Sequence, residues 1–73
     1  MKLDADKIDD AVLALLLLGR HEGNRAWKGF DWDTMNRLHE KGYISNPHGK
    51  AKSVAFTEEG LAEAERLLEE LFA

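Results

Sequence analysis

The sequence contains no cysteine and only one proline among its 73 residues. Without cysteine the chain has no disulfide, no thiolate ligand for zinc and no cysteine nucleophile. A domain this short buries a small core and usually depends on a disulfide, a metal or a partner chain for stability. Because a disulfide is excluded, we expect very good helix packing or self-association.

Sequence motifs for catalysis and metal binding are also missing. Ser45 and Ser53 lie in no nucleophile elbow, and there is no glycine-rich loop for phosphates. His21, His39 and His48 form no i, i+4 pair, and no carboxylate stands at the spacing of a metalloprotease. We therefore predict a non-enzymatic protein with no cofactor and no metal site.

Charge is distributed unevenly along a chain whose formal net charge is −4. Residues 1–19 carry two lysines and four aspartates, net −2. Residues 20–52 carry seven Lys or Arg and four Asp or Glu, net +3, whereas residues 53–73 carry one Arg and six Glu, net −5. The acidic total argues against a large nucleic-acid footprint, but the basic middle third is compatible with a smaller one.

The first predicted helix begins near Asp4 or Asp6, which suit the N-cap, and ends before Gly19. From Ile8 to Leu18 it is apolar on nearly every side, and such a helix needs cover on every side. So short a chain can hardly surround it, which predicts a homodimer built on the first helix, with help from the last. The residues expected at this interface are Ile8, Val12, Leu15, Leu16, Leu68, Leu71 and Phe72.

The apolar run of residues 11–18 differs from the core of a signal peptide. Asp4, Asp6, Asp9 and Asp10 precede it, where a signal peptide carries positive charge. The run is also too short to span a bilayer. We therefore expect a cytoplasmic protein with no membrane partner, in agreement with the lack of cysteine.

A second helix is predicted from Asp31 or Asp33, either of which can serve as N-cap, to about Lys41. Gly42 is a natural stop. Helical spacing places four residues on the inner face of this helix: Trp32, Met35, Leu38 and His39.

Short strands are predicted on both sides of the second helix. Residues 25–30, after a Gly-Asn turn, form a strand with poor alternation. Residues 43–45 and 52–56 flank the turn-rich stretch 46–49 and predict a β-hairpin with an exposed, basic tip. Thr57 then caps the last helix, whose apolar stripe is predicted to contain Leu61, Ala64, Leu67, Leu68, Leu71 and Phe72.

The order of these elements resembles that of a known type of domain. Residues 38–44, with a Lys-Gly pair, followed by residues 53–61, with a Thr-x-x-Gly turn, resemble the second half of a winged-helix domain. The resemblance implies an α+β fold: one winged-helix-like domain over residues 1–73, with three helices and a hairpin, the wing, between the second and the last. The chain departs from that pattern at residues 20–30, which are too short to supply the helix that normally precedes the recognition helix.

A second resemblance covers nearly the whole chain. Residues 25–32, 38–42 and 49–54 are similar to a family of small bacterial proteins known as domain of unknown function 6429. This resemblance implies a bacterial source and supports the domain boundaries, and it brings no activity with it.

Two groups of polar residues form the predicted nucleic-acid site. The outward face of the second helix offers Asn36 and Arg37, residue types that read base edges. The hairpin offers Lys50 and Lys52 as phosphate ligands. The full set of expected binding residues is Arg25, Lys28, Asn36, Arg37, Lys41, His48, Lys50 and Lys52.

The alternative is a protein-interaction module that keeps the fold without binding DNA. Asp31 and Asp33 begin the second helix, where they would repel phosphate. Trp27 and Trp32 are able to stack on bases, but aromatic side chains in so small a domain more often belong to the core, and we expect both to be buried. Nucleic acid, a protein partner and a second copy of the chain are therefore the three candidate partners.

Overall fold

The computed structural model describes all 73 residues and has an α+β fold, which confirms the predicted class. Its helices are α1 (Ala5–Leu18), α2 (Trp32–Glu40) and α3 (Glu58–Phe72). Its strands are β1 (Arg20–His21), β2 (Arg25–Trp27) and β3 (Ser53–Ala55). The strands form one antiparallel sheet in the order β1-β2-β3.

The sheet differs from the predicted hairpin between α2 and α3. Strand β3 pairs along its length with β2, placing Ala26 opposite Val54. The segment expected as the first strand of the wing contributes an isolated bridge between Ile44 and Phe56, and the Ser45 amide donates to a β3 carbonyl at 2.8 Å. Strands thus lie between α1 and α2 and before α3, which is not clearly a winged-helix arrangement.

The pairing of residues 43–45 with residues 55–57 is limited to one bridge. The Tyr43 amide donates to the Leu38 carbonyl at the end of α2, and the Tyr43 carbonyl accepts from the Thr57 amide. His39 Nδ1 donates to the Ile44 carbonyl at 3.0 Å. The Thr57–Tyr43 bond and the Ser45–Ala55 bond are the two ladder bonds of the Ile44–Phe56 bridge. The ladder ends there because the Ala55 amide donates to the Ser45 hydroxyl instead of the Ser45 carbonyl.

The predicted N-caps are confirmed at all three helices. Asp4 accepts from the backbone at the start of α1, Asp31 accepts from the Thr34 amide, and Thr57 accepts from the Gly60 amide. Gly42 has φ +82°, which suits the predicted stop after α2.

Gly60 is buried against the loop that follows α2. A Cβ at this position would lie 1.8 Å from the Tyr43 carbonyl oxygen. Thr57 Oγ1 donates to the Gly42 carbonyl at 2.6 Å in the same contact. The Thr-x-x-Gly sequence therefore lets α3 begin directly against the chain that leaves α2.

The core lies between α1, the inner face of the sheet, and the packed faces of α2 and α3. Leu13 and Leu16 of α1 pack with Met35 and Leu38 of α2, and Val54 covers them from the sheet. None of the helices has both the length and the apolar character needed to cross a membrane.

Candidate nucleic-acid interface

Asp9 of α1 has a fully buried side chain and binds two cations of α2. Its carboxylate lies 2.7 Å from Arg37 Nη2 and 2.9 Å from Lys41 Nζ. Arg37 and Lys41 are four residues apart and share one helix face, so both reach the same carboxylate. Two cations predicted to contact nucleic acid thus point toward α1.

The charges of this cluster fix its ionisation. Burial by itself raises the pKa of Asp9, but hydrogen bonds from Arg37 and Lys41, together with their charges, hold the pKa below its ordinary value. The same hydrogen bonds raise the pKa values of both cations. The neighbouring Asp10 has a raised pKa because it is partly buried and lacks such donors. The cluster therefore carries one negative and two positive charges across the neutral range.

The remaining predicted reader of base edges on α2 is Asn36, which is half-buried and forms no side-chain hydrogen bond. The start of the helix presents Asp31, which is occupied by the Thr34 amide and hydroxyl, and the exposed Asp33. The outer surface of α2 thus carries negative charge at the N-terminus of the helix and little unpaired positive charge along the rest of it. Such a surface repels a phosphate more than it attracts one.

A different surface collects the other cations. Lys28 Nζ donates to the carbonyls of Pro47 at 2.6 Å and Gly49 at 2.7 Å, and the Lys28 amide donates to the Lys52 carbonyl. These bonds join residues 27–32 to residues 46–52. We call the combined surface of these two segments the loop face.

Three large aromatic side chains on the loop face are exposed to solvent. Trp27 is 59% exposed and Trp32 is 48% exposed, and Phe30 lies between them in sequence. The prediction that both tryptophans belong to the core is therefore wrong. Ala26 occupies the buried position of β2, so the next residue faces outward, and Trp32 is the first residue of α2 and lies beyond the packed turns.

Each tryptophan has an aromatic neighbour. Trp32 meets His48 edge-on, with the ring centroids 4.7 Å apart. Trp27 packs against His21 with the centroids 4.4 Å apart and the planes inclined by 31°. Beside that pair, Arg25 donates to the Ser53 hydroxyl at 2.8 Å and to the Ser53 carbonyl at 2.9 Å. Cross-strand alternation places all four of these sheet residues on the outer face of the sheet.

Lys50 and Lys52 are exposed and form no hydrogen bond or ion pair through their side chains. His48 is also exposed. The structure thus brings four of the eight predicted binding residues together on the loop face, with Arg25 on the adjoining sheet. The sequence analysis did not predict that the rings of Trp27 and Trp32 are exposed. For Trp27, alternation along the strand indicated it, because the small residue Ala26 suits a buried position and the next residue then faces outward.

The residues predicted at a dimer interface separate into two groups. Val12 and Leu16 are buried inside the single chain, and Ile8 and Leu68 are half-buried against the same core. Leu15, Leu71 and Phe72 are exposed. The C-terminal ends of α1 and α3 also form an open groove of about 450 Å³, lined by Leu17, Leu18, Glu65, Leu68, Glu69, Phe72 and Ala73.

Comparisons with known proteins identify a family. Residues 4–73 match the family described as a domain of unknown function (DUF6429). An uncharacterized protein, y4hR, of Sinorhizobium fredii (strain NBRC 101917 / NGR234) is 57% identical over 72 residues, covering 99% of this chain and 97% of that protein. No solved structure matches the chain. The chain therefore belongs to the DUF6429 family of small proteins, which has a bacterial member.

Proposed function

We propose that this chain is a non-enzymatic, winged-helix-like module of the bacterial cytoplasm that binds nucleic acid through its loop face. The observation that carries the proposal is the state of Lys50 and Lys52, which are exposed and unpaired beside exposed aromatic rings. When unpaired surface cations neutralise phosphates, the counterions condensed on the nucleic acid are released, and this release favours binding. Cations that already have an ion-pair partner contribute much less to binding.

Local charge supports a small phosphate site. The loop face contains Lys28, Lys50 and Lys52 against a single carboxylate, Asp31, so its net charge is +2 while the chain totals −4. At physiological salt the Debye length is roughly 8 Å, so carboxylates of α3 that lie farther than this from the loop face are largely screened from it. With few phosphate contacts, binding is expected to be weak to moderate and strongly salt-dependent.

A salt titration tests the proposal. Fluorescently labelled oligonucleotides of mixed sequence, single-stranded and duplex, are titrated with the full chain at several salt concentrations. We expect affinity to fall as salt rises, and the combined Lys50→Ala and Lys52→Ala substitution to lower the slope of log K against log salt by about 1.5, since each lost phosphate contact contributes roughly 0.7 to 0.9.

The combined Lys2→Ala and Lys7→Ala substitution is the matched control, because it removes two exposed lysines outside the loop face. It should leave the slope nearly unchanged. Absence of binding to either form of nucleic acid at low salt would refute the proposal, and an equal loss of slope in the control would remove the loop face from it.

A second candidate function is a protein-interaction module whose partner is a second copy of the chain. The groove between the ends of α1 and α3 favours it, because Leu18 is 68% exposed and Phe72 55% exposed there. A two-fold contact would place each groove against its copy. Glu65 and Glu69 at the rim would then lie close to the same residues of the second copy and repel them. Because salt screens this repulsion, dimerisation should strengthen as the salt concentration rises.

Light scattering of the purified chain at micromolar concentration tests this candidate. We expect the wild-type chain to form a dimer whose fraction increases with salt concentration. The Leu18→Glu variant should be a monomer. Leu3→Glu is the control, since Leu3 is also exposed but lies before α1 and outside the groove. A monomeric wild-type chain at high salt would exclude the self-association.

A further inference from the structure

Building on nucleic-acid binding as the proposed function, we infer that the ligand is a single strand whose bases stack on Trp27 and Trp32. The inference rests on which surfaces of the molecule are closed to a duplex and which are open to an unpaired base. Single-stranded RNA and single-stranded DNA share this chemistry, since every base has a flat π-face and every linkage a phosphate.

The surface that reads a duplex in helix-turn-helix proteins is closed here. Such proteins insert a helix into the major groove and contact base edges from its first turns. In this chain the first turn of α2 presents Asp31 and Asp33, and Arg37 and Lys41 are bound to the buried Asp9. Using those cations on DNA would require breaking a buried ion cluster.

The outer face of the sheet is open and aromatic. One side of the Trp27 ring is packed against His21, which orients the ring, and more than half of the side chain remains exposed. An oriented, exposed indole is a stacking platform that loses little entropy when a base lands on it. No helix or loop needs to move for a base to reach it.

Three cations flank this platform, and one of them is held in place by hydrogen bonds. Arg25 is held on the same sheet face by its two hydrogen bonds to Ser53, which leave its Nη1 without a partner. A guanidinium positioned in this way contacts a phosphate at little further entropic cost. In the loop that leads into β3, Lys50 and Lys52 supply exposed, unpaired charges for adjacent phosphates.

A second platform extends the site along the loop face. The Trp32 ring is held edge-on by His48 and is nearly half exposed. Two tryptophan platforms with interspersed cations suit a short site of a few nucleotides, smaller than or similar to that of one oligonucleotide-binding domain.

Binding of defined oligonucleotides to the full chain tests the inference. The probes are an oligothymidylate of about eight nucleotides, the matching oligouridylate and a DNA hairpin duplex of similar charge. Tryptophan fluorescence and anisotropy of labelled probes are read in parallel. We expect the single strands to bind at least about tenfold more tightly than the duplex and to quench tryptophan emission, and their ratio to tell whether DNA or RNA is preferred.

Two substitutions localise the stacking. Trp27→Ala should weaken single-strand binding about tenfold, equivalent to about 1.4 kcal/mol, while Trp27→Phe should retain most of the affinity. Circular dichroism should show both variants folded, since the side chain is mostly exposed. Should the alanine variant not fold, Trp27→Phe and Trp32→Phe report through loss of the quenching signal alone.

The outcomes separate this inference from the proposed function. Tight single-strand binding that needs an aromatic residue at position 27 supports both. Duplex binding that equals or exceeds single-strand binding, or single-strand binding indifferent to Trp27→Ala, overturns the stacking inference and leaves nucleic-acid binding standing. Failure of every probe to bind at low salt overturns both.

Discussion

Cations of the middle third of the chain occur in two surroundings that differ in what holds them. Arg37 and Lys41 project from a helix onto a buried carboxylate, Asp9, and join α2 to α1. Lys50 and Lys52 project from a loop into solvent and bind nothing within the chain. The first pair belongs to what we call the helical body, the packed core of α1, α2 and α3, and the second pair belongs to the loop face.

The difference shows why a count of charges is a poor guide to a binding surface. All four cations contribute equally to the net +3 of residues 20–52. A charge that already has a buried counterion has little electrostatic potential left for a ligand, whereas an unpaired surface charge keeps its own. We therefore expect substitutions in the helical body to change stability and those on the loop face to change binding.

The largest expected effect is that of Gly60→Ala in the helical body. The new Cβ would lie 1.8 Å from the Tyr43 oxygen and 2.6 Å from the Tyr43 carbonyl carbon, and a backbone neighbour cannot rotate away. We expect a loss of more than about 4 kcal/mol of unfolding free energy, above the usual cost of overpacking. Urea denaturation followed by circular dichroism measures it.

Gly49→Ala provides the control on the loop face. A Cβ at position 49 would meet nothing within 4 Å, and its backbone is not left-handed. We expect unfolding free energy to change by less than about 0.5 kcal/mol. Similar losses in the two variants would contradict the contrast between the regions.

A smaller loss is expected when the cations of the helical body are removed together. The Arg37→Met and Lys41→Met double variant keeps long side chains next to the buried Asp9 carboxylate and removes both of its charged partners. An unpaired buried carboxylate costs roughly 3 kcal/mol, so urea denaturation should show a marked fall in the midpoint. Adding Asp9→Asn should restore part of the stability, because the buried charge is then gone. A triple variant less stable than the double would show that the cluster acts through something other than charge.

Local signals in the sequence predicted the elements of the fold well. Asp4, Asp31 and Thr57 are residue types that satisfy the free amides of a helix start, and each caps the helix that was expected there. Gly42 ends α2 with a positive φ, as its position indicated. Such features depend on a few neighbouring residues, so a sequence contains the information directly.

Features that depend on distant pairs were predicted less well. The partner of β3 is β2, 28 residues away at the Ala26–Val54 pair, and nothing in residues 52–56 distinguishes that partner from the nearer 43–45. Likewise, Val12 and Leu16, which the sequence predicts at a dimer interface, are buried within one chain in the core that includes α1 and α3. The pairing of Arg37 with Asp9 spans the same separation in sequence and was missed for the same reason.

A nearly neutral effect on stability is expected for the cations of the loop face. The Lys50→Ala and Lys52→Ala double variant removes two exposed side chains that make no contact by hydrogen bond or ion pair. We expect unfolding free energy to stay within about 0.5 kcal/mol of the wild-type value. Differential scanning calorimetry measures it, and a loss of more than about 1 kcal/mol would mean that these lysines help to hold the sheet and loop together.

The smallest expected effect concerns folding stability in acid, to which two neighbouring carboxylates of α1 contribute with opposite pH dependence. The pKa of Asp9 is lowered from 3.8 in the folded chain, because the hydrogen bonds and charges of Arg37 and Lys41 outweigh its burial. Its stabilising contribution is therefore present above about pH 4 and is lost as the pH falls through the lowered value. The pKa of Asp10 is raised from 3.8 by burial, so its contribution is present below about pH 4 and is lost as the pH rises through the raised value.

Two asparagine variants distinguish these contributions. In urea denaturation between about pH 2 and 6, Asp9→Asn should flatten the acid limb of the stability curve, because the group that destabilises the fold on protonation is gone. Asp10→Asn should steepen the same limb, because it removes the group that gains stability there. Identical acid limbs in wild type and Asp9→Asn would show that the Asp9 cluster does not couple α1 to α2 through charge, and the contrast between paired and free cations would then lose its basis.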